Sequence, residues 1–161
     1  MTITPVSGLG SPVGLYSHAV PVPPGRQLLC VSGQLSVDAE GTSIAPGDFD
    51  AQMRQVFANL STVLAAAGGS LRDLVKMTTY LVDADNIDDF YRVRETLFAE
   101  CFPDEVYPGN TLLVINRLVR PEFLIEIEAL AAVEPIEPAD PVELTESSEP
   151  IEPIEPIEEA S

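Results

Sequence analysis

The chain lacks tryptophan, contains one histidine and two cysteines, and carries few basic side chains. Its 8 Lys and Arg residues stand against 26 Asp and Glu residues, which gives a formal net charge of −18 at pH 7. Such a surface repels nucleic acid and anionic membranes, so we expect neither as a partner. No uncharged apolar run reaches the roughly 18 residues of a membrane span. The N-terminal stretch has neither a basic start nor an apolar core, so we expect a cytoplasmic protein.

The sequence contains too few cysteine and histidine residues for a metal site or a disulfide framework to be predicted. Cys30 and Cys101 form no metal-ligand spacing and no disulfide framework, which fits a reducing compartment. His18 is the single histidine, so the sequence has no Ser-His-Asp order and no two-histidine arrangement. A lone histidine is more often structural, and we assign His18 no catalytic role.

The negative charge is concentrated at the C-terminal end. Residues 134–161 contain ten acids and no base, whereas residues 1–133 contain 16 acids and 8 bases. In the last segment an acid recurs every third residue and is usually followed by proline, a period that matches polyproline II. We therefore predict a domain over residues 1–133 and a disordered acidic tail over residues 134–161. The alternative for the tail is a docking ligand for a proline-reading or basic protein partner.

Helical periodicity is clearest over residues 48–67, where apolar side chains recur at steps of three and four. Asp48 is a suitable N-cap, and Gly68 with Gly69 is a strong stop. A second helix is predicted over residues 87–101. Short apolar or β-branched runs predict five strands, which give the order β-β-α-β-α-β-β, at residues 15–22, 27–32, 75–82, 111–115 and 123–133.

Two helices cannot cover both faces of such a sheet, so they should pack on one face. The last strand shows this asymmetry, because its apolar side chains alternate with Glu126 and Glu128 on the other face. Two glutamates within an apolar strand indicate either a solvated face or a cleft between subunits. In a cleft, burial would raise the pKa of a carboxyl group toward values useful in acid–base chemistry.

Four sequence blocks in a fixed order resemble the YjgF/RidA family of reactive-intermediate (enamine/imine) deaminases. They span nearly the whole domain and read SPVGLYSHAV at residues 11–20, VSGQLSVDAEG at 31–41, the stretch 52–83, and LIEIEALA at 124–131. The resemblance implies a chorismate-mutase-like α+β fold, with a mixed sheet and two helices on one face. It also implies a homotrimer around a central barrel. Small-molecule sites would lie in clefts between subunits and would use no metal or organic cofactor.

The resemblance implies a reaction and residues that perform it. Family members hydrolyse an imine, the tautomer of an enamine, to a ketone and ammonia. Glu126 would hold or activate the attacking water as the catalytic residue. Tyr16, Ser32 and Gly33 would line the substrate site, although Tyr16 could instead be a barrel-lining aromatic residue and Ser32 could satisfy the backbone at a strand end.

One expected residue is missing, which makes this chain a divergent member lacking the substrate-binding arginine. Deaminating relatives carry an arginine in a Pro-x-Arg-Ser/Thr stretch, whose guanidinium binds the substrate carboxylate through two hydrogen bonds. Asn110 stands at that position here. Hydrolysis of 2-aminoacrylate-type imines is therefore expected to be slow, and a neutral or larger substrate fits better. Arg94 is a candidate replacement, by an exchange of arginine and asparagine between the two positions.

Three functions remain in competition. The first is hydrolytic deamination of an imine or enamine, and the second is a related hydrolysis with an altered substrate. The third is a non-catalytic small-ligand-binding or regulatory trimer that recruits a protein partner through its tail. Retention of Tyr16, Ser32 and Glu126 favours an enzyme.

Overall fold

The computed structural model describes residues 6–135, so the predicted tail, except Glu134 and Pro135, lies outside the described residues. The chain runs in the order β1-α1-β2-α2-β3-β4, with one turn of 3₁₀ helix at Leu71–Asp73 before β2. The strands are β1 Gln27–Gln34, β2 Leu74–Leu81, β3 Gly109–Val114 and β4 Ile125–Val133, and the helices are α1 Phe49–Ala66 and α2 Asn86–Cys101. Neither helix is long and apolar enough to cross a membrane within this described part.

The four strands form one mixed sheet in the order β1-β4-β2-β3. β4 lies antiparallel between β1 and β2, whereas β2 and β3 are parallel. A parallel pair needs a crossover connection, and α2 supplies it. The two helices contact each other, and their buried side chains share one core with the inward residues of the sheet. The predicted α+β fold, with two helices and a mixed sheet, is confirmed.

Local sequence signals explain the first helix. The Asp48 side chain accepts a hydrogen bond from the Ala51 amide at 3.0 Å, which makes it the N-cap. The helix ends before Gly68, whose φ of 70° is a left-handed conformation that favours glycine. Most of the apolar stripe is buried, with no exposed surface on Met53 or Leu60, whereas Val63 is 37% exposed.

β4 has the predicted alternation. Ile125 and Ile127 have no exposed surface and lie under the helices, whereas Glu126 and Glu128 point to the opposite face. We call the face that carries these two carboxyl groups the open face of the sheet. The side under α1 and α2 is the helix side.

The strand predicted at residues 15–22 is wrong, because this segment has no strand structure. Pro21, Pro23 and Pro24 lack the amide hydrogens that a strand ladder needs. The segment instead lies against the chain that enters β3, where the Ser17 amide donates to the Pro108 carbonyl at 3.2 Å. This contact brings the first sequence block next to the start of β3.

Candidate functional site

Glu126 lies on the open face against the backbone of Gly33. A Cβ atom built on Gly33 would lie 1.8 Å from Oε1 of Glu126 and 2.7 Å from its Cδ atom. No other residue type fits there unless the carboxyl group moves. The glycine predicted from the second block therefore provides the space in which the Glu126 carboxyl group rests.

An irregularity in β1 shapes this contact. The pairing with β4 shifts between Val31 and Gln34, so Ser32 and Gly33 together face the β4 chain at Glu128. This extra residue is a β-bulge, a feature often found beside active sites because it redirects side chains. Ser32 itself is exposed and lines a separate hollow.

The surroundings of Glu126 favour its protonated form. Partial burial raises the pKa of Glu126, and repulsion from the Glu128 carboxylate raises it further. Tyr80 lies opposite Glu126 in the sheet register, and its hydroxyl donates to Oε1 of Glu128 at 3.1 Å. Burial, followed by this hydrogen bond, raises the pKa of Tyr80. The arrangement is a carboxyl pair in which Glu128 has a hydrogen-bonded neighbour and Glu126 faces the bulge.

Two hollows adjoin the carboxyl pair on the open face. The first has a volume of about 470 Å³ and is lined by both glutamates, Tyr80, the exposed Arg117 and apolar residues of the β3–β4 connection. The second, about 350 Å³, contains Ser32, Lys76 and Glu128. Burial lowers the pKa of Lys76, whose Nζ donates to Oγ1 of Thr111 at 2.9 Å.

Asn110 lies on the helix side, away from Glu126. Its Oδ1 accepts a hydrogen bond from Oγ1 of Thr79 at 3.1 Å, and Thr79 has no exposed surface. In the β2–β3 register Asn110 pairs with Met77, a core residue. Within one chain, the sheet therefore separates this position from the carboxyl pair.

Arg94 also lies on the helix side, within α2. Its guanidinium carbon is 5.0 Å from the ring centroid of Phe90, 4.8 Å from that of Tyr91 and 5.7 Å from that of Phe98. Arg94 is only 2% exposed, and this burial lowers its pKa. The neighbouring Tyr91 and Glu95, followed by Tyr16 and Tyr107, act electrostatically in the opposite direction and raise its pKa.

Tyr16 stands on the segment docked at the start of β3. Oγ of Ser17 donates to the Tyr107 carbonyl at 2.6 Å, which fixes the segment there. Tyr16 packs edge-on against His18, with the ring centroids 5.9 Å apart, and shares a hollow of about 470 Å³ with Tyr107. A ring nitrogen of His18 lies 2.9 Å from the carbonyl oxygen of Gly10, which gives the histidine a local structural contact.

The candidate residues thus form two groups. Gly33 and Glu126 are in contact on the open face, whereas Tyr16, Arg94 and Asn110 lie on the helix side or at its β3 edge. Sequence reasoning missed the bulge and the polar side chains of β2. Lys76, Thr78 and Tyr80 alternate with buried residues, so strict attention to strand period would have found them. Residues 6–135 contain no cluster of three or more His, Cys, Asp or Glu side chains suited to a metal ion.

Comparison with known proteins decides the family, because the model of the endoribonuclease L-PSP family matches residues 9–133. The chain belongs to this family, which is the YjgF/RidA family. A RutC family protein of Pyrococcus horikoshii is 38% identical over 123 residues, which cover 76% of this chain and 90% of the relative. A RutC family protein of Sulfurisphaera tokodaii is 35% identical over 121 residues, or 75% and 90% of the two chains.

Solved Rid structures have the same fold. The Rid family protein YyfB of Yersinia pestis has a TM-score of 0.70 and 31% identity, covering 82% of this chain and 98% of its own. E. coli TdcF, solved with bound serine, has a TM-score of 0.59 and 27% identity over 82% and 98% of the two chains. The family and the fold class are therefore those expected from the four sequence blocks.

Proposed function

We propose that this protein hydrolyses a small reactive imine, or its enamine tautomer, to a carbonyl compound and ammonia. The observation that carries the proposal is the Glu126 carboxyl group seated against Gly33 beside an open hollow. Its raised pKa brings a glutamate closer to the value at which it both accepts and returns protons near neutral pH. The serine bound to E. coli TdcF supports a small polar ligand in this family.

The reaction needs one water molecule, and Glu126 carries a proton from oxygen to nitrogen twice. Deprotonated Glu126 takes a proton from the water as its oxygen attacks the carbon of the protonated C=N group. A carbinolamine forms. Glu126 then gives this proton to the amine nitrogen. As the C–N bond breaks, the Glu126 carboxylate takes the hydroxyl proton, the carbonyl forms, and the departing ammonia receives that proton from Glu126 and leaves as ammonium. Because a protonated imine is already electrophilic, the protein mainly orients water and moves a proton.

A complete site requires two copies of the chain. Glu126 lies on the open face, whereas Tyr16 and Arg94 belong to the opposite side and its edge. A substrate that contacts both groups must therefore sit between one copy and another. Apolar residues of the open face, such as the half-buried Leu130 beside Lys76, favour a homotrimer that covers this face and forms clefts between subunits.

The test is release of ammonia and a ketone from imines generated in situ by an amino-acid oxidase. Glu126→Gln keeps the shape of the side chain but not its basicity, so we expect turnover to fall at least ~10²-fold. Glu128→Gln is the matched control on the same strand and face. It removes a neighbouring charge and leaves Glu126 in place, so the loss should be much smaller.

Two results would contradict the proposal. Turnover that survives Glu126→Gln would exclude the carboxyl group as the proton carrier. No turnover by the wild-type protein with any imine, together with saturable binding of small ligands, would favour the non-catalytic ligand-binding trimer. The family description also mentions endoribonuclease, but the domain's excess of 16 acids over 8 bases works against RNA binding.

A further inference from the structure

Arg94 is a buried cation, and the exposed carboxylate of Glu95, the next residue of α2, acts on it without forming an ion pair. Only 2% of its surface is exposed, and it makes no ion pair or hydrogen bond with any residue of this described range. Its Nε atom is completely buried and has no hydrogen-bond partner. Buried guanidinium groups are normally paired, because an unpaired buried charge is strongly unfavourable.

The sequence places this arginine within the core pattern rather than on a solvated face. It follows Phe90 by four residues and precedes Leu97 by three, so it lies in the apolar stripe of α2. Three aromatic rings surround the guanidinium and exclude water from its faces. By contrast, Arg92 on the same helix is exposed and bridges the carboxylates of Asp50 and Asp89.

A cavity of about 270 Å³ lies against the guanidinium. It is formed between residues 13–15 and the α2 side chains Tyr91, Arg94 and Glu95. At ~30 Å³ per water molecule, this volume corresponds to a small acid with a few carbon atoms. A Cβ atom built on Gly14 would lie 2.7 Å from Nη2 of Arg94, so a larger residue there would press on the guanidinium. The exposed Glu95 is the one carboxylate that lines this cavity.

Arg94 and Asn110 lie on the same side of the sheet. Phe98 on α2 packs on the Arg94 guanidinium and also stacks on Tyr107, with 5.7 Å between the ring centroids. Tyr107 begins the stretch that leads to Asn110. Asn110 on β3 therefore carries no positive charge, whereas Arg94 on α2, linked to the β3 approach through Phe98 and Tyr107, does.

We propose that Arg94 binds the carboxylate of the substrate in the cavity beside Gly14, in place of the arginine that Asn110 replaces. This inference rests on the proposed function and deepens it, because it assigns recognition of an acidic group to a residue of α2. A planar guanidinium donates two parallel hydrogen bonds to a carboxylate, and Nη2 of Arg94 is the donor that lies next to Gly14 at the cavity. The imine carbon would then face Glu126 of a neighbouring copy.

Arg117 is the competing cation, because it lines the Glu126 hollow directly. It is exposed, so water and salt screen its charge, and its side chain must be ordered on binding. Arg94 is already held by aromatic packing in a low-dielectric site, where the same charge attracts a carboxylate more strongly. The buried arginine is therefore the better carboxylate-binding residue.

The experiment measures calorimetric binding of 2-oxobutanoate, a keto acid product analogue, and of its neutral amide to the full chain. We expect the wild-type protein to bind the acid more tightly than the amide. Arg94→Met should weaken binding of the acid about 10- to 100-fold and leave binding of the amide unchanged. Arg94→Lys should recover part of the acid binding. Arg92→Met, on the same helix, is the matched control and should bind both compounds like wild type.

Other outcomes would overturn the inference. If Arg117→Met loses preference for the acid and Arg94→Met keeps it, Arg117 is the anion site. If the wild-type protein binds no keto acid, a carboxylate of this chain or of another copy already neutralises Arg94. If Arg94→Met mainly lowers the melting temperature and changes binding of acid and amide equally, the arginine is structural. Binding by Glu126→Gln separates the two proposals, since that variant should bind the acid normally yet not turn over.

Discussion

The open face and the helix side of the sheet take their candidate site residues from different kinds of structural element. On the open face, regular strand alternation sets Glu126 and Glu128 two residues apart, and a bulge in β1 provides space at Gly33. On the helix side, a cation and an aromatic ring come from α2 and from a segment without regular structure. The contrast teaches that a single sheet can keep the proposed base, Glu126, and the proposed carboxylate-binding residue, Arg94, apart within one chain. Assembly of several copies would then bring them together.

The largest loss of activity is expected from a substitution at Gly33, which disturbs the open face and leaves the helix side unchanged. In Gly33→Ala the new methyl carbon would lie 1.8 Å from Oε1 of Glu126, so the glutamate side chain must move. Displacement of a catalytic group by about 1 Å can cost ~10²-fold in rate, and we expect a loss of that order. The displaced atoms belong to the end of a flexible side chain, so the melting temperature should change little. Full activity of this variant would show that the position of Glu126 is unimportant.

A moderate effect is expected from the neighbouring charge. Because Glu126 must be deprotonated to accept a proton, activity should rise with pH through its raised pKa, which lies above the ordinary glutamate value of 4.5. Glu128→Gln removes a repulsion that contributes to this rise. The acidic limb of the pH–rate profile should therefore move to lower pH. If the acidic limb of the profile keeps its pH or moves to higher pH, Glu128 does not act on Glu126.

The smallest effect is expected from the acidic C-terminal segment. Residues 134–161 contain few large apolar side chains to offset an ordering cost of about 1–2 kcal/mol per residue, so we predict no contribution to folding of the domain. A chain that ends at Pro135 keeps the 2.9 Å ion pair between Arg26 and the exposed Glu134, and one that ends at Val133 loses it. Such a pair contributes about 0–1 kcal/mol, so both chains should melt within a few degrees of wild type. A much larger decrease would show that the segment docks on the domain.

The two sides of the sheet also differ in how far sequence could predict them. Strong periodicity predicted both helices and β4, including the side to which Glu126 points. The prediction of a strand at residues 15–22 was wrong. The apolar residues of this segment favour a strand, but Pro21 and its neighbours remove the amide donors that a strand needs. The bulge at Gly33 could not be foreseen, since it depends on the register between strands distant in sequence.

Arg94 was a candidate by resemblance, but its burial could have been inferred from the sequence alone. It occupies a core position of the α2 stripe, between Phe90 and Leu97, where a charge is costly. What no pattern in the sequence provides is the cavity beside Gly14, because residues 13–15 have no periodic structure that would place them against α2.

The central claim, that one site draws on two copies, is tested most directly by mixed assembly of Arg94→Met and Glu126→Gln chains. Each variant alone should lose most of its activity when it is assayed at a low, fixed substrate concentration. Random co-assembly into trimers should restore about one quarter of the wild-type rate, since about one shared site in four receives both intact residues. Sedimentation of the mixture should give three chains per particle. A mixture no more active than the separate variants, with trimers formed, would contradict the claim.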